Sequence, residues 1–256
     1  MKTEIVSIMA VCFCAIAFCA TTAKAVNVDF YNDATIQNGD TYNVVNVYDT
    51  PPDQTNIHMT GGGVDLMRTY DYSTINLTGG GINTLGARGY STVNIFGEAQ
   101  IQSAGVNEWG SLNISGGKLN STGATGQSML NISGTGSVLS VRVSQSGMMN
   151  MTGGEIDRLQ LFDSVIVNLY SGSIVEGIST RAGDFDGSIN IYGYGLVKTS
   201  IGGLYGYGEV HGFYQDGTAF SIDLGHDIYP HVNLIPEPAT IILLSLGAAI
   251  LRKQKH

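Results

Sequence analysis

Along the middle of the chain, apolar and polar residues alternate with period two, and the alternation itself returns at intervals of 18 or 19 residues. The recurring words are Ile75-Asn76-Leu77, Val93-Asn94-Ile95, Leu112-Asn113-Ile114, Leu130-Asn131-Ile132, Met149-Asn150-Met151, Val167-Asn168-Leu169 and Ile189-Asn190-Ile191. Residues at i and i+2 share one face of a strand, so the two apolar residues of each word point one way and the asparagine points the other. A second apolar column, Val64, Ile82, Ile101, Leu119, Val138, Ile156 and Ile174, keeps the same interval. Between the two columns stand Gly79-Gly80, Gly97, Gly116-Gly117, Gly134, Gly153-Gly154 and Gly172, which suit a sharp corner. Each unit therefore reads as strand, corner, strand and looser return.

Such a unit cannot bury its apolar face alone, and a fixed interval means that copies stack on one another. It is too short for a strand–helix coil, and its Asn, Thr, Ser, Gly and β-branched content opposes helix. The fold class expected is all-β: a single-stranded parallel β-helix, or β-solenoid, of about eight short coils of 18–19 residues, capped at both ends. Coils of 18 residues also occur in left-handed triangular helices. The uneven spacing, one step of 22 residues and the right-handed rule for parallel crossovers favour the right-handed form. The repeats are placed at 56–198, an N-terminal cap at 26–55, and a C-terminal β cap and spacer at 199–235.

Composition narrows the function. Residues 26–235 carry seven basic and nineteen acidic side chains, a net charge of −12, which excludes nucleic acid and disfavours anionic lipid. Glycine is abundant at 35 residues, yet isoleucine held in register is unlike a flexible linker.

The ends read as addresses. Residues 1–25 have the form of a signal peptide: Lys2, an apolar run from Ile5 to Ala20, then Ala23-Lys24-Ala25 with small residues at the two positions a signal peptidase inspects. Cysteines 12, 14 and 19 all lie inside this segment, so a cleaved chain has none left to form a disulfide. At the other end Pro236-Glu237-Pro238 precedes an apolar stretch, 239–251, and the basic terminus Arg252-Lys253-Gln254-Lys255-His256. In this order the three parts of 236–256 resemble the PEP-CTERM sorting signal of exported bacterial proteins. That resemblance implies recognition of Pro236, Glu237 and Pro238 by an exosortase-type membrane enzyme and a transient C-terminal membrane anchor. It further implies export across the inner membrane of a Gram-negative-type bacterium to the cell surface, outer envelope or extracellular matrix. The Asn–apolar–Ser/Thr–Gly–Gly words at 76–80, 113–117 and 150–154 resemble the passenger stalks of autotransporters, a class of surface scaffolds and adhesins.

Candidate chemistry is sparse. The repeated asparagines, 76, 94, 113, 131, 150, 168 and 190, read as a structural ladder whose amides hydrogen-bond along the rod. Four begin glycosylation sequons (Asn76, Asn113, Asn131, Asn150), but bacterial export makes that use unexpected. Trp109, beside Glu108, with Tyr192 and Tyr194, are the candidate ligand contacts, while the late aromatics 170, 205, 207, 213 and 214 suit cap packing. Asp184 and Asp186, near Arg181, are the candidate metal or catalytic acids, with Ca2+ the ion their chemistry would favour. Asp157, Arg158 and Asp163 lie one coil earlier, and His58, His211, His226 and His231 have no metal-ligand spacing. No other cofactor is implied. The function expected is a noncatalytic surface or matrix scaffold, with extracellular polysaccharide or other surface proteins as partners. The alternative is a polysaccharide-binding or polysaccharide-degrading β-helix, a lyase or hydrolase that would need converging carboxylates or calcium-held acids.

Overall fold

The structure, a computed structural model, describes residues 26–181 and 183–236. It is an all-β parallel solenoid of about nine stacked coils. Two ladders of parallel strands form its walls. The short-strand ladder begins with Ala34–Ile36, Asn56–Met59, Thr74–Leu77, Thr92–Ile95, Ser111–Ile114 and Met129–Ile132. It continues through the first residues of Met148–Leu161, Ile166–Ile174 and Ser188–Thr199. The long-strand ladder runs from Val26–Phe30 and Thr41–Val47 through Gly63–Thr69, Gly81–Ala87, Gln100–Val106, Lys118–Ala124 and Ser137–Val143 to the second half of Met148–Leu161. At the usual strand separation nine coils make a rod about 43 Å long.

The apolar columns stack without gaps. Leu77, Ile95, Ile114, Ile132, Met151, Leu169 and Ile191 are wholly buried, as are Ile75, Val93, Leu130, Met149, Val167 and Ile189. The long strands contribute three inward positions per coil, for example Ile82, Leu85 and Ala87, where the sequence pattern displays one. The reason is a bend after the first inward residue: two outward residues, Asn83 and Thr84, separate Ile82 from Leu85, and the period of two is lost.

The alternation of 18 and 19 has a single origin. In register, Leu77 lies under Ile95 and Ile95 under Ile114, and the extra residue of each longer coil falls in the corner after the short strand. Corners with two adjacent glycines carry Leu77 to Ile82 and Ile114 to Leu119, while the corners at Gly97 and Gly134 take one residue more to reach Ile101 and Val138. Both ends of the longer corner stay bonded to the coil below, Glu98 N–H to Thr78 O at 3.3 Å and Gln100 N–H to Gly80 O at 2.9 Å. Gly97 and Gly134 have φ of 57° and 58°, and a Cβ would meet the carbonyl oxygens of Thr78 and Ser115 at 2.5 and 2.6 Å. Stacking forbids any other residue there.

The stretch read as an N-terminal cap, 26–55, is itself wound into the ladders, since Val26–Phe30 and Ala34–Ile36 pair in parallel with the next coil. At the far end Ser188–Thr199 turns into the antiparallel strands Glu209–Tyr214 and Ala219–Asp223, a hairpin that closes the long-strand side. The segment after Leu224, read as a spacer, forms a 3-10 turn at Tyr229–His231 and then the strand Val232–Pro236. That strand lies parallel on Ser188–Thr199, Val232 beside Ile189 and Asn233 beside Asn190, and makes the last rung. The signal-peptide residues, Ala23 and Ala25 among them, and Glu237, Pro238 and the tail lie outside the described residues. No described helix is long and apolar enough to cross a membrane.

Candidate functional site

The outward asparagines form one continuous row. Each Nδ2 donates to the Oδ1 of the coil before it: Asn94 to Asn76, Asn113 to Asn94, Asn131 to Asn113, Asn150 to Asn131, Asn168 to Asn150 and Asn190 to Asn168, at 2.7–2.9 Å. Asn233 adds a seventh bond, to Asn190 at 3.1 Å, from a residue that carries no repeat word in the sequence. Below Asn76 the same position holds His58 and then Thr35. The four asparagines that begin sequons, Asn76, Asn113, Asn131 and Asn150, are all members of this bonded row.

Aromatic side chains form a second kind of row, at the return from the long strand. Tyr31, Tyr48 and Tyr70 stack at 5.3 and 4.9 Å, and Tyr72, Tyr90 and Trp109 stack at 5.1 and 6.1 Å with nearly parallel rings. Trp109 therefore does not stand alone: it ends a stack, and it, Tyr72 and Tyr90 are each 52% exposed. The signal was in the sequence, for Tyr72, Tyr90 and Trp109 are spaced by the coil interval. Tyr192 stacks on Tyr170 at 4.3 Å and Tyr194 on Phe213 at 5.3 Å. In each pair one ring covers a face of the other, and Tyr194 and Phe213 remain exposed. Burial pushes the Tyr170 hydroxyl pKa up, with help from the hydrogen bond to Tyr192. Tyr214 is buried completely in the cap, and burial raises its pKa far more.

The acidic candidates serve the turns around them. Asp186 Oδ1 accepts the Ser164 hydroxyl at 2.7 Å, and Asp163 Oδ2 accepts the Gln145 N–H at 2.9 Å. The backbone of Asp186 donates to Asp163 O, while Phe185 between the two candidate acids turns inward and packs on His231 at 4.8 Å. Arg158 is paired with Glu176 of the next coil, and that hydrogen bond raises its pKa. Among the described residues no group of three or more His, Cys, Asp or Glu side chains is arranged to hold a metal.

An open cleft of about 730 Å3 lies at the N-terminal end, lined by 31–33 and 50–56, most of them exposed. The sequence reading passed over it, because its walls come from two turns 20 residues apart that meet only when the first coil closes. No family model matches the chain, and neither a curated protein nor a solved structure matches it. The solenoid is compatible with a scaffold or adhesin and with a carbohydrate-acting role alike.

Proposed function

We propose that the chain is a noncatalytic, exported scaffold of the cell surface or extracellular matrix, sorted through a PEP-CTERM-type tail. Signal peptidase and an exosortase-type enzyme act on the two ends, and matrix polysaccharide or other surface proteins meet the body. The observation that carries this reading is the amide row. Its polar side chains bond to their own kind along the axis instead of converging on a substrate, which fixes register and stiffens a rod but activates nothing.

The sorting part has its own test. Replacing Pro236-Glu237-Pro238 by alanines should leave unprocessed precursor in the membrane fraction, and normal maturation would refute the assignment. A second reading, polysaccharide binding, is favoured by the exposed aromatic corner at Tyr72, Tyr90 and Trp109. In the noncatalytic reading Asp186→Ala leaves any polysaccharide turnover unchanged, and its loss would favour a lyase or hydrolase instead.

A further inference from the structure

The first complete coil departs from the central coils at one corner. Central coils pass from long strand to short strand through four residues, such as Arg88–Ser91, whereas the first takes eight, Tyr48–Thr55. The extra length lies against the preceding turn at Tyr31–Asp33, and the two turns line the open N-terminal cleft. Three contacts hold the walls in place. The Thr50 hydroxyl donates to Tyr31 O at 3.0 Å, Asn56 N–H donates to Asp33 Oδ1 at 2.7 Å, and Asp53 N–H donates to Thr50 O at 3.2 Å.

The lining is chemically uneven. Tyr31 is the end ring of its stack: Tyr48 covers one face, no described aromatic covers the other, and the residue is 52% exposed. Around it stand the carboxylates of Asp33 and Asp53 and the amide of Gln54, and no lining residue carries a positive charge. An aromatic face offered beside several hydrogen-bond acceptors suits a molecule with one C–H face and a rim of hydroxyl donors. Fixed carboxylates with no cation repel an anion. At about 730 Å3 the cavity falls within the range of small-molecule clefts.

We infer that this cavity binds a neutral pyranose unit of a glycan, its C–H face on Tyr31 and its hydroxyls on Asp33, Asp53 and Gln54. Uronates and sulfated sugars are rejected by charge. The aromatic corner at Tyr72, Tyr90 and Trp109 is not this site, since none of those rings lines the cavity. The site gives the proposed scaffold a ligand but stands on its own geometry. Failure of sorting and failure of sugar binding are read in separate experiments.

The test is a titration of the purified full chain with methyl glucoside, methyl galactoside and N-acetylglucosamine, with glucuronate as the anionic control, followed by saturation-transfer NMR. Saturable binding of at least one neutral sugar is expected, with a Kd on the order of 1 mM as for a single shallow site. Tyr31→Ala should weaken it about tenfold or more, and Tyr207→Ala, an exposed tyrosine of the C-terminal cap that does not line the site, should leave it unchanged. Because Tyr31 also packs on Tyr48, Asp53→Asn supplies a variant of equal shape, expected to weaken binding about threefold with thermal stability unaltered. The inference is overturned if no neutral sugar saturates, if glucuronate binds equally well, or if neither variant changes the affinity.

Discussion

The central coils and the first coil are built from the same two strands, yet they leave different groups unused. In the centre each asparagine, glycine corner and aliphatic side chain has an equivalent directly above and below, so its bonding capacity is met within the rod. At the N-terminal end a residue has an equivalent in one neighbouring coil only among the described residues. Tyr31 keeps a ring face uncovered, and Asp33 and Asp53 face a cavity instead of a matching turn. Repetition consumes the chemistry of this chain; the interruption of it leaves chemistry over.

The contrast can be broken most strongly through the core. Ile132 lies between Ile114 and Met151, whereas Ile36, equally buried, stands on the first short strand among the described residues and has a ladder partner, Met59, on one side. Ile132→Ala should cost about 3–5 kcal/mol in denaturant unfolding, and Ile36→Ala about 1–3 kcal/mol, because the end can collapse around the deletion. Equal losses would mean that the end is as constrained as the centre.

A smaller effect of opposite sign is expected at Thr122, which occupies an apolar column between Ala104 and Val141. It is buried, and its hydroxyl has no hydrogen-bond partner among the described residues. Thr122→Val keeps the shape and removes the unpaired group, so a gain of about 1 kcal/mol is expected, read as a higher urea midpoint. A loss would show that the hydroxyl is satisfied in solution.

The smallest effect belongs to the C-terminal cap. The Ser171 hydroxyl, then Thr218 N–H at 2.8 Å, donate to Asp216 and hold its carboxyl below the usual range. A lowered folded value stabilises the fold at pH above the ordinary carboxylate value, and the contribution disappears as pH falls through the lowered one. Asp216→Asn should therefore lower Tm slightly at pH 7 and not at all near pH 2. A difference that persists in acid would point to shape instead of charge.

How much of this was legible depended on whether period two survived. Short strands keep strict alternation, so columns such as Leu77, Ile95 and Ile114 could be read off the chain directly. Long strands bend, and their later inward positions are held by small residues such as Ala87, Ala104 and Ala124, which look like surface or turn residues in a sequence. The turn column was hidden differently. Asp71, Gly89, Glu108, Gly126, Gln145 and Asp163 all adopt positive φ, between 56° and 74°, but they share a conformation without sharing a residue type. Asn233 escaped because its strand reaches the rod only after the hairpin, 43 residues beyond Asn190. The N-terminal cavity had no periodic signal at all; it exists because two non-repeating turns meet.

The amide row has a sense of direction. Every bond of the row donates toward the N-terminus, and each asparagine from Asn94 to Asn190 both gives and receives one, so the small side-chain dipoles add along the axis. One amide turned about would set oxygen against oxygen on one side and nitrogen against nitrogen on the other. The eight asparagines from Asn76 to Asn233 must consequently agree, and they behave as one polar filament with its acceptor pole at Asn233.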